Sequence, residues 1–492
     1  MPTLRLALAQ VNPTVGDLAG NARIVRERAR AAAQAGAQLV AFPELMLAGS
    51  PVEDLVFRES FVAAARDAVH QLAADLAADG LGALPVVVGY LDGDGPPPAS
   101  PEALPGKGPR NAAAVLHDGR VVATSVKRRL SAYGPLDEAR YFVPGEHLTV
   151  IRVGGVEIAL TVGGDLGSAD PMAAARRLGV GLVVSLNGSP YELTRDDVRL
   201  TAVQRGAAGA DAAVAYVNLV GGQDELIFDG GSLIVSSGGE VLARAPQFVE
   251  HLLLHDLELP TTATPVAAGA AAATEQLATV QPGAGVLPAA ETGGMRVVRV
   301  HLGDKLPTPP QPRASGGISE RLTDEAAVWP ALVLALRDYV SKNRFTSVLL
   351  GLSGGIDSTV AAAIAVDALG PERVVGISMP SQHSSQHSRK DAADLAERTG
   401  LGYRVEEIQP MVDTFLANIS LSGMAVENLQ ARVRGVILMA VSNQEGHLVL
   451  TSSNKSELAV GYSTLYGDSV GGFNPLKDVW KSMVWRLAEW RN

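Results

Sequence analysis

The stretch TSVLLGLSGGIDS, residues Thr346–Ser358, decides the fold of the second half of this 492-residue chain. Its first seven residues are mostly apolar and are typical of a strand buried in a sheet. The segment that follows, Ser353–Ser358, opens a helix that extends to about Leu369. Gly354 and Gly355 let backbone N–H groups turn inward because no Cβ atom blocks them, and the helix N-terminus adds positive potential. The pattern therefore predicts a phosphate-binding loop.

The chemistry of this loop differs from that of a kinase-type loop. It lacks the Gly-Lys-Ser/Thr ending of a Walker loop, so transfer of a γ-phosphate is not expected. Ser353, Ser358 and Thr359 add hydroxyl groups that donate hydrogen bonds. The alternative is a glycine-rich strand–helix turn with a capping Asp or Ser that binds no ligand. Its position between a strand and a helix favours the phosphate loop.

Strand and helix signals alternate around the loop, which predicts a doubly wound parallel sheet of the α/β class. The predicted elements are helices at residues 329–343, 386–399 and 428–443 and strands at 373–378, 403–408 and 447–451. Ligands of such sheets bind at the carboxyl ends of the strands. We therefore expect the loops that follow Leu352, Ser378 and Thr451 to face one crevice.

The first half, residues 1–260, has the signals of one layered α/β domain. The predicted elements are a helix at 21–35, strands at 4–10, 38–42, 85–90, 156–162 and 181–186, and hairpins at 111–126 and 231–244. Residues 261–323 include flanks rich in Ala, Thr and Pro, which predict a linker, with one short strand at 297–302. Residues 324–492 form the predicted second domain.

Composition excludes several classes of protein. Formal net charge is −11, whereas a nucleic-acid scaffold would be basic, so we expect no nucleic-acid partner. The chain has no cysteine, which removes disulfides, thiolate metal sites and cysteine nucleophiles. Apolar residues make up 47%, but no uninterrupted run is long enough to span a membrane. With no visible signal peptide, these features predict a cytoplasmic protein without a membrane partner.

Five ordered motifs of the second half resemble the NAD synthetases, which belong to the N-type ATP pyrophosphatases with an adenine nucleotide alpha hydrolase-like fold. The motifs are Ser353–Ser358, Met379–Ser388, Glu427–Gly435, Asn454–Asp468 and Gly471–Asp478. The resemblance implies ATP and Mg²⁺ as cofactors. The ATP-binding residues that it implies are Gly351, Ser353, Gly354, Gly355, Asp357, Ser358 and Thr451.

The same resemblance implies further ligand contacts. Asp357 and Glu457 are expected to hold Mg²⁺ on the triphosphate, since carboxylate oxygens suit this cation, or else to cap helices. The implied substrate-binding residues are Arg432, Lys455, Asp468 and Lys477. Lys455 is one of only eight lysines and either neutralises phosphate charge or pairs with a carboxylate. Arg434 lies two positions from Arg432 on the predicted helix, so at most one of them is expected to reach the ligand.

The first half resembles the nitrilase-type amidase domain of glutamine-dependent NAD(+) synthetases, an α-β-β-α sandwich. The matching segments are Ala9–Asp17, Phe42–Leu45, Lys127–Gly134, Asp137–Phe142, Asn187–Tyr191 and Gly221–Glu225. Such amidases use a glutamate, a lysine and a cysteine, which implies Glu44 as general base and Lys127 as the cation for the oxyanion. Together with the second half, the resemblance covers most of the chain.

The implied nucleophile is missing. The family segment Cys-Glu-Asp-Leu-Trp is expected after the strand at 156–162, but this chain has Gly163-Gly164-Asp165-Leu166-Gly167 there. Gly163 has no side chain and cannot form an acyl intermediate. Asp165 and Ser168 are the nearest replacements, but the end of a strand places one position at the site and not its neighbours. We therefore expect no hydrolysis of glutamine, with Glu44 and Lys127 either relics or parts of a ligand pocket.

The implied function is ATP-dependent amidation of deamido-NAD through an adenylate, with ammonia as the nitrogen donor and release of AMP and pyrophosphate. The alternatives are an adenylating amide ligase for another carboxylate and a non-catalytic nucleotide-binding paralogue. The resemblance also implies a homo-oligomer. The family usually continues beyond the helix that ends at Asn492, so the second domain is expected to be truncated, either naturally or because the sequence is a fragment.

Overall fold

The computed structural model of the chain describes residues 2–94, 108–133, 136–193, 195–261, 286–292, 295–303, 309 and 312–492. Within these residues the chain divides into two compact units. The first contains residues up to Gly221 together with Phe228–Arg321, and the second contains Gly222–Ile227 together with Leu322–Asn492.

The first unit contains strands and helices that alternate along the chain. The strands are β1 (Thr3–Gln10), β2 (Leu39–Ala41), β3 (Val86–Gly93), β4 (Pro109–His117), β5 (Arg120–Val126), β6 (Ala132–Tyr133), β7 (Leu136–Asp137), β8 (His147–Val153), β9 (Val156–Val162), β10 (Leu182–Asn187), β11 (Ala213–Asn218), β12 (Val220–Gln223) and β13 (Leu226–Asp229), which are both divided between the two units, β14 (Leu233–Val235), β15 (Val241–Arg244), β16 (His251–Glu258), β17 (Val286–Thr292) and β18 (Met295–His301). The helices are α1 (Leu18–Gln34), α2 (Glu59–Ala78), α3 (Ala169–Leu178) and α4 (Arg195–Ala210).

Two sheets form the centre of this unit. One has six strands in the order β16-β1-β2-β3-β4-β5, and the other has eight in the order β15-β14-β11-β10-β9-β8-β18-β17. Leu6 of β1 and Ile158 of β9 belong to one apolar cluster between the sheets. Helices α1 and α2 cover the outer face of the first sheet, and α3 and α4 cover that of the second. The predicted α-β-β-α sandwich is therefore confirmed.

The predicted linker range contains part of the second sheet. Strand β18 pairs in parallel with β8, so the predicted strand at 297–302 is confirmed and joins the sheet. Met295 and Val297 pack in the apolar cluster on the outer face of this sheet and Val300 in the cluster between the sheets, which fits a strand inside the sheet. Residues 262–285, 293–294, 304–308 and 310–311 of the range lie outside the described residues. The limits of the domains and of the linker remain predictions.

The second unit has a four-stranded parallel sheet in the order β21-β20-β19-β22. Its strands are β19 (Val348–Gly351), β20 (Val374–Ser378), β21 (Gly402–Val405) and β22 (Leu448–Leu450). Its helices are α5 (Asp324–Lys342), α6 (Ile356–Leu369), α7 (Gln386–Thr399), α8 (Gln409–Asn418), α9 (Met424–Glu445), α10 (Lys455–Val460) and α11 (Lys481–Arg491). Helices α5, α6, α7 and α11 contribute to an apolar cluster on one face, and α8 and α9 to a cluster on the other. The predicted doubly wound α/β sheet is therefore confirmed.

Parallel pairing brings the carboxyl ends of the strands to one edge. β19 lies between β20 and β22, so the loop after β19 has neighbours on both sides. The predicted phosphate loop is the connection from β19 to α6 at this edge. Among the described residues, none of the helices is both long and apolar enough to cross a lipid bilayer.

Candidate functional site

The phosphate loop of the second unit is held by its own hydroxyl groups. The Ser358 hydroxyl donates to the carbonyl oxygen of Gly355 at 2.9 Å, and the Gly355 N–H donates to Ser353 Oγ at 3.1 Å. The Ser353 N–H donates to Ser358 Oγ at 3.3 Å. Gly351 is the last residue of β19 and is separated from this loop by Leu352. The loop is thus closed on itself between strand and helix, with its glycine backbone next to the first turn of α6.

Gly354 is a position at which only glycine fits. Its φ of +80° lies in the left-handed region, and a Cβ atom there would lie 2.2 Å from the carbonyl oxygen of Ser388. The loop therefore lies directly against the first turn of α7. The capping Ser385 of that helix accepts a hydrogen bond from the Ser388 N–H at 3.0 Å. The loops after β19 and β20 meet here, as predicted from the parallel sheet.

Asn454 brings the two predicted metal ligands to the same place. Its side-chain amide donates to Asp357 Oδ1 at 3.0 Å, its backbone N–H donates to Glu457 Oε2 at 3.1 Å, and its Oδ1 accepts from the Glu457 N–H at 3.1 Å. The other oxygen of Asp357 accepts from the ammonium group of Lys481. Asp357 lies at the start of α6 and Glu457 at the start of α10, so strand ends position both carboxylates.

The predicted substrate-binding lysines are ion-paired. Lys477 Nζ lies 2.6 Å from Glu225 Oε1, and Lys455 Nζ lies 2.5 Å from Asp478 Oδ1. The Lys455 ammonium group also lies 5.1 Å from the centre of the Trp480 ring, within cation–π range. A cavity of about 420 Å³ in this unit is lined by Lys477 and Thr451, among other residues.

Arg432, Arg434 and Asp468 have different environments. Arg432 is exposed, and its Nε donates to the carbonyl oxygen of Leu465 at 3.1 Å. Arg434 Nε donates to the carbonyl oxygen of Met379 at 3.0 Å, and burial lowers the pKa of its guanidinium. Asp468 accepts from the Thr464 N–H at 2.7 Å in an exposed turn. Arg432 and Asp468 are not among the residues that line the cavity of Lys477.

The first unit contains a buried cluster of three charged side chains. Lys127 Nζ lies 2.6 Å from Glu44 Oε1 and 2.7 Å from Glu138 Oε2. The Asn111 amide donates to Glu44 at 2.7 Å and to Glu138 at 3.0 Å, while the Gly188 N–H donates to Glu44 Oε2 at 2.9 Å. Each charged member is at most 7% exposed. We call Glu44, Lys127 and Glu138 the ion cluster.

Burial and charge act in opposite directions in the ion cluster. Burial alone lowers the pKa of Lys127, but the charges and hydrogen bonds of Glu44 and Glu138 outweigh it, so the Lys127 pKa is raised. Lys127 is therefore a permanent cation. Burial raises the pKa of Glu138, and Lys127 opposes this effect. The cluster can thus polarise a carbonyl group through its lysine and accept a proton or an N–H through a carboxylate.

Gly163 lies within contact distance of this cluster. A Cβ atom there would be 2.5 Å from Lys127 Nζ and 3.0 Å from Glu44 Oε2. The residue follows β9 with a φ of +51°, which is strained for a residue with a side chain. A side chain at this position would therefore contact both charged groups. The glycine that occupies the position has no side chain with which to do so.

Asp165 and Ser168, the possible replacements, do not line the cavity that contains the ion cluster. Asp165 accepts backbone hydrogen bonds from Arg128 at 3.0 Å and Arg129 at 2.7 Å, so its carboxylate fastens the segment that follows Lys127. Burial raises the pKa of Asp165 to about 6. The carboxylate therefore has a structural task.

Four residues of these sites were not assigned a role from the sequence: Asn111, Glu138, Asn454 and Lys481. Lys481 had one usable signal, because lysines are rare in this chain. Glu138 and Asn454 lie inside motifs that carry the family resemblance, but the spacing of residues in a motif does not show their contacts. Asn111 gave no signal, since it lies inside a hairpin strand and its partners lie 67 and 27 residues away in sequence.

Comparisons with known proteins match the two halves of the chain to two families. The family described as carbon-nitrogen hydrolase matches residues 5–264, and the family described as NAD synthase matches residues 328–492. The glutamine-dependent NAD(+) synthetase of Thermotoga maritima is 37% identical over 505 aligned residues, which include 100% of this chain and 81% of that protein. The protein of the same name from Acinetobacter baylyi is 35% identical, and the alignment covers 80% of that protein.

The chain is also similar to solved structures of glutamine-dependent NAD+ synthetases. The glutamine-dependent NAD+ synthetase of Acinetobacter baumannii, determined in complex with ADP, is 34% identical with a TM-score of 0.79. The alignment covers 100% of this chain and 82% of that chain. The corresponding protein of Cytophaga hutchinsonii has a TM-score of 0.76 at 21% identity, which is a likeness of fold.

A first prediction concerns Gly354. Gly354→Ala will weaken ATP binding at least about tenfold, because the methyl group would overlap the Ser388 carbonyl oxygen and displace the loop. Gly446→Ala is the matched control, since its φ is +79° and a Cβ atom there meets nothing within 4 Å. Titration calorimetry with ATP measures both. Equal affinities in the two variants would contradict the assigned role of the loop.

A second prediction concerns Asp165 and pH. Its pKa in the folded protein is raised to about 6, so the stability that the protonated form contributes is lost as pH rises through that value. Between about pH 5 and pH 7.5 the wild type should lose about 1 kcal/mol of unfolding free energy relative to Asp165→Asn, which does not titrate. Urea denaturation followed by circular dichroism measures this difference. A difference that does not change with pH would show that the carboxyl group is not perturbed.

Proposed function

The chain belongs to the family of glutamine-dependent NAD(+) synthetases, ligases that form a carbon–nitrogen bond, and we propose that it amidates deamido-NAD with ATP and ammonia. The nicotinate carboxylate attacks the α-phosphate of ATP, and pyrophosphate leaves. Ammonia then attacks the carbonyl carbon of the adenylate, and AMP leaves. The observation that carries the proposal is the meeting of the phosphate loop, Asp357 and Glu457 around Asn454.

The phosphate loop supports the α-phosphate chemistry. Its backbone lies at the N-terminus of α6, where N–H groups and the helix dipole favour an anion such as departing pyrophosphate. Lys481, paired with Asp357, places a cation at the same point, where it can balance phosphate charge once a nucleotide competes for the carboxylate. No covalent intermediate with the protein is needed, so positioning and charge account for the acceleration.

The donor set fits Mg²⁺. This cation commonly uses one or two protein carboxylates and completes its shell with phosphate oxygens and water. Asp357 and Glu457 supply two carboxylates that share the neighbour Asn454. They would hold Mg²⁺ together with the triphosphate, where the ion would neutralise phosphate charge.

Lys477 is the proposed contact at the other end of the substrate, and Thr451 is the proposed contact with ATP beside it. Both line the 420 Å³ cavity, which includes hydroxyl, amide and aromatic groups. Lys455, Arg432 and Asp468 are proposed to contact the dinucleotide from the rim, since they are partly or fully exposed. The ion pairs of Lys455 and Lys477 keep these cations in place before a ligand arrives.

The glycine at position 163 supports a proposal about which molecule donates the amide nitrogen of the product. Glutamine hydrolysis in nitrilase-type sites needs a nucleophile beside the lysine and the glutamate, and the position that touches both has no side chain here. Cysteine is also absent from the whole sequence. Loss of the nucleophile from such a cooperative set lowers the rate on the order of 10⁶-fold. Free ammonia, or ammonia from a partner, is therefore the proposed donor.

The third prediction tests the reaction as a whole. The purified chain with ATP, Mg²⁺, deamido-NAD and ammonium should form NAD, AMP and pyrophosphate in equal amounts. AMP formed only with another nicotinate-like acid would favour the adenylating ligase for a different carboxylate. ATP binding without turnover would favour the non-catalytic paralogue, and ADP with phosphate would contradict attack at the α-phosphate.

The fourth prediction tests the two carboxylates. Asp357→Asn and Glu457→Gln should each slow AMP formation on the order of 10²-fold, because each removes charge stabilisation of the transition state. Binding of deamido-NAD should change little. Asp394→Asn is the control, as Asp394 is a half-exposed carboxylate on α7 that pairs with Arg398. If either variant kept near-parental turnover at saturating Mg²⁺, that residue would not be a ligand of the catalytic metal.

A further inference from the structure

The tip of the hairpin formed by β12 and β13 belongs to the second unit. Residues Gly222–Ile227 pack within that unit, although they lie inside the range 5–264 that matches the carbon-nitrogen hydrolase family. β12 and β13 pair with each other in a sheet of two strands. A two-stranded hairpin by itself is only marginally stable in water. The tip therefore needs further contacts within the second unit to keep a single conformation.

Two side chains of α5 hold one residue of this tip. The Gly222 N–H donates to Asp338 Oδ2 at 2.7 Å, and Lys342 Nζ donates to the carbonyl oxygen of Gly222 at 2.8 Å. Asp338 and Lys342 are four positions apart, so they lie on the same face of the helix. We call Asp338 and Lys342 the hairpin clamp. The clamp satisfies both backbone polar groups of Gly222.

The contact between Gly222 and α5 is close and buried. A Cβ atom at Gly222 would lie 2.9 Å from Ala335 Cα, so the absence of a side chain lets the hairpin backbone approach the helix. Asp338 is 5% exposed. Burying a carboxylate is costly unless hydrogen-bond donors surround it, and the Gly222 N–H is one such donor. The carboxylate of Asp338 thus fastens the hairpin backbone to the helix.

The clamp determines where the turn of the hairpin lies. Asp224 and Glu225 form this turn between β12 and β13, and both line the 420 Å³ cavity together with Lys477. Glu225 Oε1 lies 2.6 Å from Lys477 Nζ. A lysine that already has a fixed partner loses less rotamer freedom when it binds a ligand. Holding the turn therefore prepares Lys477 for substrate.

The charge of Glu225 has an opposing effect, which is the weaker of the two. A carboxylate beside Lys477 repels an anionic substrate, but the Glu225 side chain is 80% exposed, so water and salt screen the repulsion. An exposed ion pair also contributes little unless its geometry is held. The clamp supplies that geometry through the hairpin backbone.

We infer that Asp338, assisted by Lys342, is a positioning residue for substrate binding in the second unit. It fixes the hairpin tip so that Glu225 holds the Lys477 ammonium group in the cavity. The two other N–H bonds of that group can then donate to the carboxylate or phosphate oxygens of the substrate. The inference rests on the proposed function for the identity of this substrate. Asp338 itself contacts no reacting atom and acts only through the hairpin.

Binding of deamido-NAD to the full chain, measured by calorimetry, tests the inference without turnover. Asp338→Ala should weaken binding about tenfold, whereas Asp338→Asn, which keeps an oxygen that accepts from Gly222, should stay within about threefold of the wild type. Asp367→Ala is the matched control, because Asp367 on α6 pairs with Arg491 of the same unit. It should lower the melting temperature without weakening binding. Equal weakening by Asp338→Ala and Asp367→Ala would reflect lost stability alone and would overturn the inference.

Steady-state kinetics separate positioning from catalysis. In Asp338→Ala the KM for deamido-NAD should rise about tenfold while kcat stays within about threefold, because no reacting atom is touched. A lower kcat at unchanged KM would overturn the inference. A wild type that binds deamido-NAD without turnover would contradict only the proposed function, and calorimetry would still decide the inference. A wild type that does not bind deamido-NAD would overturn both.

A double variant tests whether Asp338 acts through Glu225. Glu225→Ala should weaken binding about tenfold, and adding Asp338→Ala should weaken it no more than about twofold further. Losses that multiply would show another route and overturn the inference. Amide hydrogen exchange at Gly222 should accelerate at least about tenfold in Asp338→Ala and by a smaller factor in Lys342→Met. Unchanged exchange in Asp338→Ala would show that the clamp does not hold the hairpin, and would overturn the inference whatever the activity.

Discussion

The ion pairs of Lys127 with Glu44 and Glu138 form a buried constraint that joins separate strand ends of the first unit. Its members come from the ends of β2 and β5 and from the turn after β7, and Glu44 also holds the backbone of Gly188 after β10. Removing one partner of such a buried set leaves an uncompensated charge, which typically costs about 3–5 kcal/mol. The cluster is therefore needed to hold the carboxyl ends of strands from both sheets together. Its presence does not require that the site hydrolyse an amide.

In the second unit, too, charged groups lie at the carboxyl ends of strands and are held by polar contacts, but the predicted ligand is a nucleotide. Parallel strands place the phosphate loop between the loops that follow β20 and β22, and Asn454 then joins Asp357 to Glu457. Lys481 balances Asp357 from the first turn of α11. In both units, charged groups at strand ends are positioned by short polar contacts. The two sites differ in that the second brings the phosphate loop, Asp357 and Glu457 together, whereas the first has no side chain at Gly163.

Much of this arrangement could be predicted from the sequence, and the reasons are local. The hairpin at 111–126 and the strand–loop–helix at Ser353–Ser358 have strong short-range signals, and the structure confirms them. The short helices α8 and α10 were not predicted, because each has too few residues to show the helical spacing of apolar residues. The contacts of Asn111, Asn454 and Lys481 join residues far apart in sequence, so no spacing rule reveals them. The roles assigned to the site residues remain predictions.

We propose that Gly163 leaves the first unit without a glutaminase, so that the amide nitrogen of the product comes from ammonia, either free or supplied by a partner. The most direct measurement supplies the chain with ATP, Mg²⁺, deamido-NAD, nitrogen-15 ammonium and unlabelled glutamine, and reads the isotope in the carboxamide of NAD by mass spectrometry. The account predicts that the carboxamide carries the label of the ammonium and that no glutamate appears. Unlabelled NAD accompanied by an equal amount of glutamate would show that another residue has taken over as the nucleophile, and would contradict the account.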